Sequence, residues 1–348
     1  MISTAFCIPG DLTLPTGGYR YDREVLSRFT NHGIKPLHVE MNSRFPNPTH
    51  DDLAATNTLL AAQDRRTVLL IDGLALGAMP ATVLAGLPHK TIALVHHPLG
   101  LEAGLDPARA AFLLANEKAV LAAVAHIVVT SEATQRILMG DFDVPERRIT
   151  VAEPGTSRAL RAVGTGQPIQ ILAVGAVSPR KAYGLLVAAL APLTALDWHL
   201  TIAGSLERSP EAVSQLKAII TDNALTNRVT LAGAIDDVRL ESLFARSDLF
   251  AMASLFEGYG MALAEALAHG LPIVTSSGGA AAETVPDAAA IKVPSGDALA
   301  LSTALGLILS DAAMRRRMAD ASWAAGALLP TWDDTTHTIA EAIKAIAA

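Results

Sequence analysis

The sequence predicts an α/β protein of two Rossmann-like domains with parallel sheets, and three observations carry that expectation. Short apolar runs alternate with helical stretches along the chain, the pattern of strand–helix–strand units whose strands lie parallel. At 348 residues the chain exceeds one ordinary domain and suits two of about 150 to 180 residues. Between the halves, Gly164-Thr165-Gly166-Gln167-Pro168 breaks all periodicity and places a linker at 156–168, about which two domains would close over a cleft. Apolar residues make up 51% of the chain, enough for each half to bury its own core.

Taken in order, Ile2–Pro9 reads as a buried strand, and Pro15-Thr16-Gly17-Gly18-Tyr19 turns into a helix at 20–29. A strand at 67–71 ends on Asp72-Gly73, and a strand at 91–95 ends on His96-His97-Pro98. In the second half a strand at 169–175 is followed by Ser178-Pro179-Arg180-Lys181 and an apolar helix at 184–193. Strands at 198–204 and 228–233 end in glycine, and Asp236-Asp237 opens a helix carrying Leu240, Leu243 and Phe244. The sequence closes with Pro330-Thr331-Trp332-Asp333-Asp334 and a helix whose apolar stripe is Ile339, Ile343 and Ile346. No Gly-x-Gly-x-x-Gly follows a strand, so neither half reads as a dehydrogenase domain.

The densest chemistry lies at 254–272, Ser-Leu-Phe-Glu-Gly-Tyr-Gly-Met-Ala-Leu-Ala-Glu-Ala-Leu-Ala-His-Gly-Leu-Pro. A strand at 249–253 feeds a helix through Gly258 and Gly260, with Glu257 before the turn and Glu265 inside the helix. The first backbone N–H groups of such a helix have no partner within it and favour an anion, phosphate above all. Glycine lets a ligand approach the backbone. Glu265 lies one turn beyond Met261, where a carboxylate repels phosphate but accepts from sugar hydroxyls. A ligand with phosphates and hydroxyls together is a nucleotide, its ribose placed against Glu265. Gly204 and Ser205, at a neighbouring strand end, would face the same ligand.

These residues closely resemble the Glu-x7-Glu signature of the family 4 retaining glycosyltransferases, enzymes of the two-domain GT-B fold. The match covers the strand, the Glu257-Gly258-Tyr259-Gly260-Met261 turn, Glu265-Ala266 and Gly270-Leu271-Pro272. The resemblance implies two Rossmann-like domains facing a central cleft. An acceptor-side domain would span 1–160 and a nucleotide-sugar domain 161–330, with a last helix at 331–348 packing back on the first. It implies donor contacts from Gly17, Gly18, Gly204, Ser205, Gly258, Tyr259, Gly260, Met261 and Glu265. Lys181 matches the family lysine at the donor diphosphate, whereas the arginine often found directly after the strand glycine is Ala176 here, and Arg180 is expected in its place. His96 and Glu257 are expected to touch the transferred sugar, and Glu283 follows the Gly278-Gly279 pair in the family manner. Fixed cations stabilise a diphosphate that gains charge as it leaves more than they stabilise the bound donor. The expected activity is therefore transfer of a hexose, with retention, from a nucleoside diphosphate sugar to an acceptor hydroxyl. A nucleotide-sugar epimerase and a non-catalytic nucleotide-sugar binding protein of the same fold are the rivals.

Composition removes other classes. A net charge of −7 with pI near 5.8 and no long basic run disfavours stable nucleic-acid binding and docking on anionic membranes. No apolar run reaches a spanning length of about 18 residues, so no membrane anchor is expected. The first basic residue is Arg20, so no charged region precedes the apolar start as a secretory leader requires. With one cysteine, Cys7, the chain suits a reducing cytoplasm. The single Asp-x-Asp, Asp141-Phe142-Asp143, follows a helix and reads as a polar loop, and no zinc-spaced cluster stands out. Neither cofactor nor metal is expected; Arg180, Lys181 and a helix dipole would neutralise the diphosphate.

Overall fold

The computed structural model describes all 348 residues and divides them into two compact units, Met1–Gly155 with Pro330–Ala348, and Thr156–Leu329. Each unit holds one sheet of six strands.

In the first unit the strands are β1 (Ile2–Pro9), β2 (Ile34–Met41), β3 (Val68–Asp72), β4 (Thr91–Val95), β5 (His126–Val129) and β6 (Ile149–Val151), in the order β2-β1-β3-β4-β5-β6. Every pairing is parallel. β3 and β4 are buried at every residue, which is why they read as unbroken apolar runs rather than alternating ones: helices cover both faces of a parallel sheet. The first helix starts at Gly17, earlier than the expected 20, because the Thr16 side chain accepts from the Tyr19 N–H and caps it.

The closing helix, Trp332–Ala347, belongs to this unit. Thr331 and Asp334 form a capping box at its start, and its apolar stripe buries Trp332, Ile339 and Ile343 while Ile346 is partly covered. Trp332 meets the Tyr21 ring edge to face at 5.8 Å. A Cβ on Gly155 would lie 2.2 Å from the Trp332 backbone nitrogen, so only glycine lets the two backbones pass. Trp332 is thus a packing residue.

In the second unit the strands are β7 (Ile169–Val174), β8 (Trp198–Ala203), β9 (Val229–Gly233), β10 (Leu249–Met252), β11 (Ile273–Ser276) and β12 (Ala290–Val293), ordered β12-β11-β10-β7-β8-β9. They too are all parallel. The order reverses at β7 and β10, and ligands of such sheets gather outside the carboxyl ends of strands at that point. The apolar helix expected at 184–193 is α-helical over Tyr183–Leu190 and finishes as a tighter turn over Ala191–Leu193. Pro192 has no N–H to continue the ladder. No single helix is long and apolar enough to cross a membrane.

Candidate functional site

In the second unit the loop after β7 and the loop after β10 converge. β7 runs into Gly175, and the loop holding Arg180 and Lys181 leads to the helix Tyr183–Leu190. The Leu255 N–H donates to the Arg180 carbonyl at 2.8 Å, and the Arg180 guanidinium donates to the Phe256 carbonyl at 2.9 Å. Segments about 75 residues apart in the sequence are thereby sewn into one wall. Lys181 Nζ lies 2.7 Å from Glu257 Oε1, and the Arg180 guanidinium 3.3 Å from the same oxygen.

Glu257 is nearly buried, with 7% of its side chain exposed. Burial alone would raise its pKa, but the charges of Lys181 and Arg180 and the Lys181 hydrogen bond outweigh it and hold the carboxyl down at about 2. The sequence treated these three residues separately, as two cations for the phosphate and one carboxylate for the sugar; the structure joins them in one network, in which the carboxylate fixes both cations in place.

The glycine turn follows. The Glu257 N–H donates to the Gly278 carbonyl at 3.1 Å, and its carbonyl accepts from Ala280 at 2.8 Å. This stitches the turn to the Gly278-Gly279 segment. A Cβ on Gly278 would sit 2.0 Å from the Leu255 carbonyl oxygen. Gly260 has φ +98° and stands at the N-terminus of the helix Met261–Ala268, a backbone conformation that favours glycine. Tyr259 is buried, and its carbonyl accepts from the Thr284 hydroxyl at 2.5 Å. Met261 and Glu265 are half-buried on the same helix, one turn apart. Glu283 lies on the short helix Ala281–Thr284, with its side chain exposed.

Gly204 and Ser205 end β8 beside Gly175. The Gly204 N–H donates to the Gly233 carbonyl at 2.9 Å, and the Val177 N–H to the Ser205 carbonyl at 2.9 Å. A Cβ on Gly204 would lie 2.0 Å from the Gly175 carbonyl oxygen. Backbone on both sides cannot yield, so Gly204→Ala is expected to cost about 3 kcal/mol of stability, read as a lowered denaturant midpoint at unchanged slope.

The first unit gathers its own set at the carboxyl ends of β3 and β4. His96, directly after β4, points Nε2 at Asp22 Oδ1, 3.3 Å away, and at Asp72 Oδ2, 3.4 Å away. Tyr21 packs edge-on against the imidazole at 5.0 Å. Gly18 lies alongside: a Cβ there would come 3.8 Å from Nε2. Gly17 opens the helix that carries Gly18 and Asp22. Burial opposes a charge on His96, but the hydrogen bonds and charges of Asp22 and Asp72 overcome it and raise the imidazole to about 10. Burial, with Asp72 adding to it, pushes Asp22 up to about 7 against the pull of His96. The loop after His96 is braced by buried Glu117, whose carboxylate accepts from Leu99 N–H at 2.8 Å and Gly100 N–H at 3.1 Å. His97 instead turns toward Glu102, at 3.7 Å.

Sequence reasoning missed Asp22 and Glu117 and placed Asp72 only as the end of a strand. Asp22 follows Gly18 by one turn, a spacing that puts both on one helix face, and that was the available signal. Asp141-Phe142-Asp143 splits in the structure: Phe142 is buried, while Asp143 turns out to pair with Lys118 at 2.5 Å.

Two parallel doubly wound sheets, with glycine turns, paired cations and carboxylates at their strand ends, define the class of α/β proteins built from two Rossmann-like units, the GT-B fold. Residues 161–323 match the family model for glycosyl transferases group 1. The match covers most of the second unit and a little under half of the chain. A D-inositol 3-phosphate glycosyltransferase of Xylanimonas cellulosilytica is 28% identical over 243 residues, covering 64% of this chain and 57% of that protein. An MMP alpha-(1->4)-mannosyltransferase of Mycolicibacterium hassiacum is 25% identical over 335 residues, covering 91% and 80%. The chain thus spans little more than half the length of the first relative and four fifths of the second. Among solved structures, a sucrose-phosphate synthase from Thermosynechococcus elongatus aligns with a TM-score of 0.83 over 98% of both chains at 17% identity. Anabaena HepE in complex with UDP-glucose aligns with a TM-score of 0.79, covering 98% of this chain and 99% of that one, at 16% identity.

Proposed function

We propose that the protein is a retaining glycosyltransferase of family 4 that moves a hexose from a nucleoside diphosphate sugar to an acceptor hydroxyl. The observation that carries this reading is the convergence of Arg180 and Lys181 on Glu257 beside the glycine turn that opens the helix Met261–Ala268. Cations held rigid by a buried carboxylate are positioned before the reaction and need not reorganise as charge develops, which is where electrostatic catalysis gains most. The diphosphate would lie on these cations and on the unpaired N–H groups of the helix start, with no metal. Gly204 and Ser205 would border the nucleotide, Glu265 would accept from ribose hydroxyls, and Gly258, Tyr259 and Gly260 would shape the turn against the phosphates and sugar.

On the first unit, Gly17, Gly18 and His96 would meet the phosphates and the transferred sugar, and its loops would present the acceptor. The glycosidic bond breaks toward the leaving phosphate, whose oxygen then takes the acceptor's proton while the hydroxyl oxygen attacks the same face. That step asks the protein for positioning and charge stabilisation only. The relatives act, by their names, on an inositol phosphate and as a mannosyltransferase, which fits a hydroxyl acceptor and a hexose donor here. The buried lone Cys7 fits a reducing cytoplasm.

A panel of nucleoside diphosphates and their sugars, scanned by thermal unfolding with chelator present, tests the reading. A selective rise in melting temperature with one nucleotide is expected, because a ligand that binds only the folded state stabilises it. Anomeric configuration of the product by NMR then checks retention. Donor binding without turnover on any acceptor would favour the non-catalytic reading, and sugar released without acceptor the epimerase.

A further inference from the structure

We propose that Glu117 is a positioning residue for the acceptor: by holding the turn Leu99–Leu101 from behind, it fixes the segment 102–106 as the surface on which the attacking hydroxyl lies. The inference rests on the transferase reading above and goes beyond it in naming the loop and what holds it. Glu117 lies in the helix Pro107–Ala123 and is 4% exposed. Each carboxylate oxygen accepts one backbone N–H, Oε1 from Leu99 at 2.8 Å and Oε2 from Gly100 at 3.1 Å. Those two N–H groups open the tight turn Leu99–Leu101 and have no partner within it, so the carboxylate caps the turn from another element.

The loops after β3 and β4 both rest on this one helix, and each does so through a glycine. A Cβ on Gly77 would lie 2.8 Å from the Glu117 side chain, and one on Gly100 would lie 2.5 Å from Leu114 Cγ. Asn116, the residue before Glu117, donates to the Gly77 carbonyl at 2.6 Å and to the Met79 carbonyl at 2.8 Å. Adjacent residues of one helix thus hold the β3 loop by its carbonyls and the β4 loop by its N–H groups. β3 ends on Asp72 and His96 follows β4, at the edge where ligands of parallel sheets gather. Beyond the turn, residues 102–106 have no regular structure and are partly or fully exposed, within reach of a molecule at that edge.

A buried carboxylate is a costly way to hold a turn. No charged side chain acts on it: His97 and Glu102 of the loop face each other at 3.7 Å, His96 faces Asp22 and Asp72, and residues 73–80 include no titratable group. Burial raises the carboxyl to about 7, against the pull of the Leu99 and Gly100 N–H groups. An amide or an apolar side chain would fill the same place at a lower desolvation cost, which sets Glu117 apart from ordinary packing.

Glu117→Gln keeps the shape but turns an amide NH2 toward a backbone N–H that needs an acceptor. With the full chain and the donor selected by the nucleotide panel, transfer is measured to glycerol, glucose and D-inositol 3-phosphate, nucleotide affinity by calorimetry and folding by circular dichroism. At pH 8 the variant's kcat/KM for the best of these acceptors should fall about 10- to 100-fold, with nucleotide affinity unchanged. The ratio of wild type to variant should shrink toward one as pH falls to 5.5, because a protonated carboxyl gives up its charge-assisted bonds. Asp22, raised into the same range, is present in both proteins and cancels in the ratio. Stability runs the other way: a carboxyl raised from 4.5 to about 7 favours the folded state at low pH and loses that contribution as pH rises through 7. Opposed trends in rate and stability therefore separate positioning from a structural role alone. If Glu117→Gln does not fold, amide exchange of wild type decides: protection of Leu99 and Gly100, corrected for the intrinsic rate, should drop below pH 7. Variant rates within threefold of an active wild type, a ratio flat with pH, or protection flat with pH overturns the proposal. A wild type that transfers to none of these acceptors would instead fail the transferase reading, and this inference with it.

Discussion

Lys181→Ala is expected to lower kcat/KM for sugar transfer by about 10^2 to 10^3, some 3 to 4 kcal/mol of transition-state stabilisation. Lys181 carries its charge 2.7 Å from Glu257 in a wall that is only 13% exposed at the lysine, so nothing from solvent replaces it cheaply. The substitution also takes from Glu257 its nearer cation and leaves Arg180 at 3.3 Å, so melting temperature should fall moderately as well. Glu265→Ala separates the two effects. It sits half-buried on the helix Met261–Ala268, in a position good for alanine, and should cut turnover strongly with stability nearly unchanged. Steady-state kinetics and thermal unfolding of both variants check this; rates within threefold of wild type in both would remove the site from the chemistry.

Glu257→Gln should be the most pH-sensitive change in stability. The carboxyl's folded pKa, about 2 against an ordinary 4.5, is depressed, so its contribution is fully present above the unfolded pKa and is lost as pH falls toward the folded one. A shift of that size corresponds to about 3 kcal/mol at neutral pH. Wild type should therefore exceed Glu257→Gln by about that much at pH 7, nearly as much at pH 5, and by less than half at pH 3. Denaturant unfolding at the three pH values measures it. A difference constant across the range would mean that the ion pair with Lys181 and Arg180 does not form in the folded protein.

The second unit was the more legible in sequence because its site is local. Gly258, Gly260, Met261 and Glu265 occupy one strand–turn–helix segment, and the positive φ of Gly260 and the helix that starts after it follow from neighbours in the chain. Even there the sequence did not show that Glu257 meets Arg180 and Lys181. Contact between loops after β7 and β10 depends on which strands are adjacent, and adjacency is not written in either loop.

The first unit was legible as strands and a histidine, and little further. Asp22 shows why. In sequence it is a charged residue early in a helix, a setting that usually faces water, yet it is wholly buried because the strand order β1-β3-β4 brings the helix Gly17–Arg28, Asp72 and His96 to one point.

By itself the sequence determined the alternation of strand and helix, the parallel character of both sheets and the glycine turns, since each follows from hydrophobic period and from backbone conformations open to few residues. Tertiary structure alone decided which charges meet. Arg180 and Lys181 with Glu257, and His96 with Asp22 and Asp72, come from segments far apart in the chain, and the Coulomb energy of a pair depends on a separation and a burial that exist only once the sheets have formed.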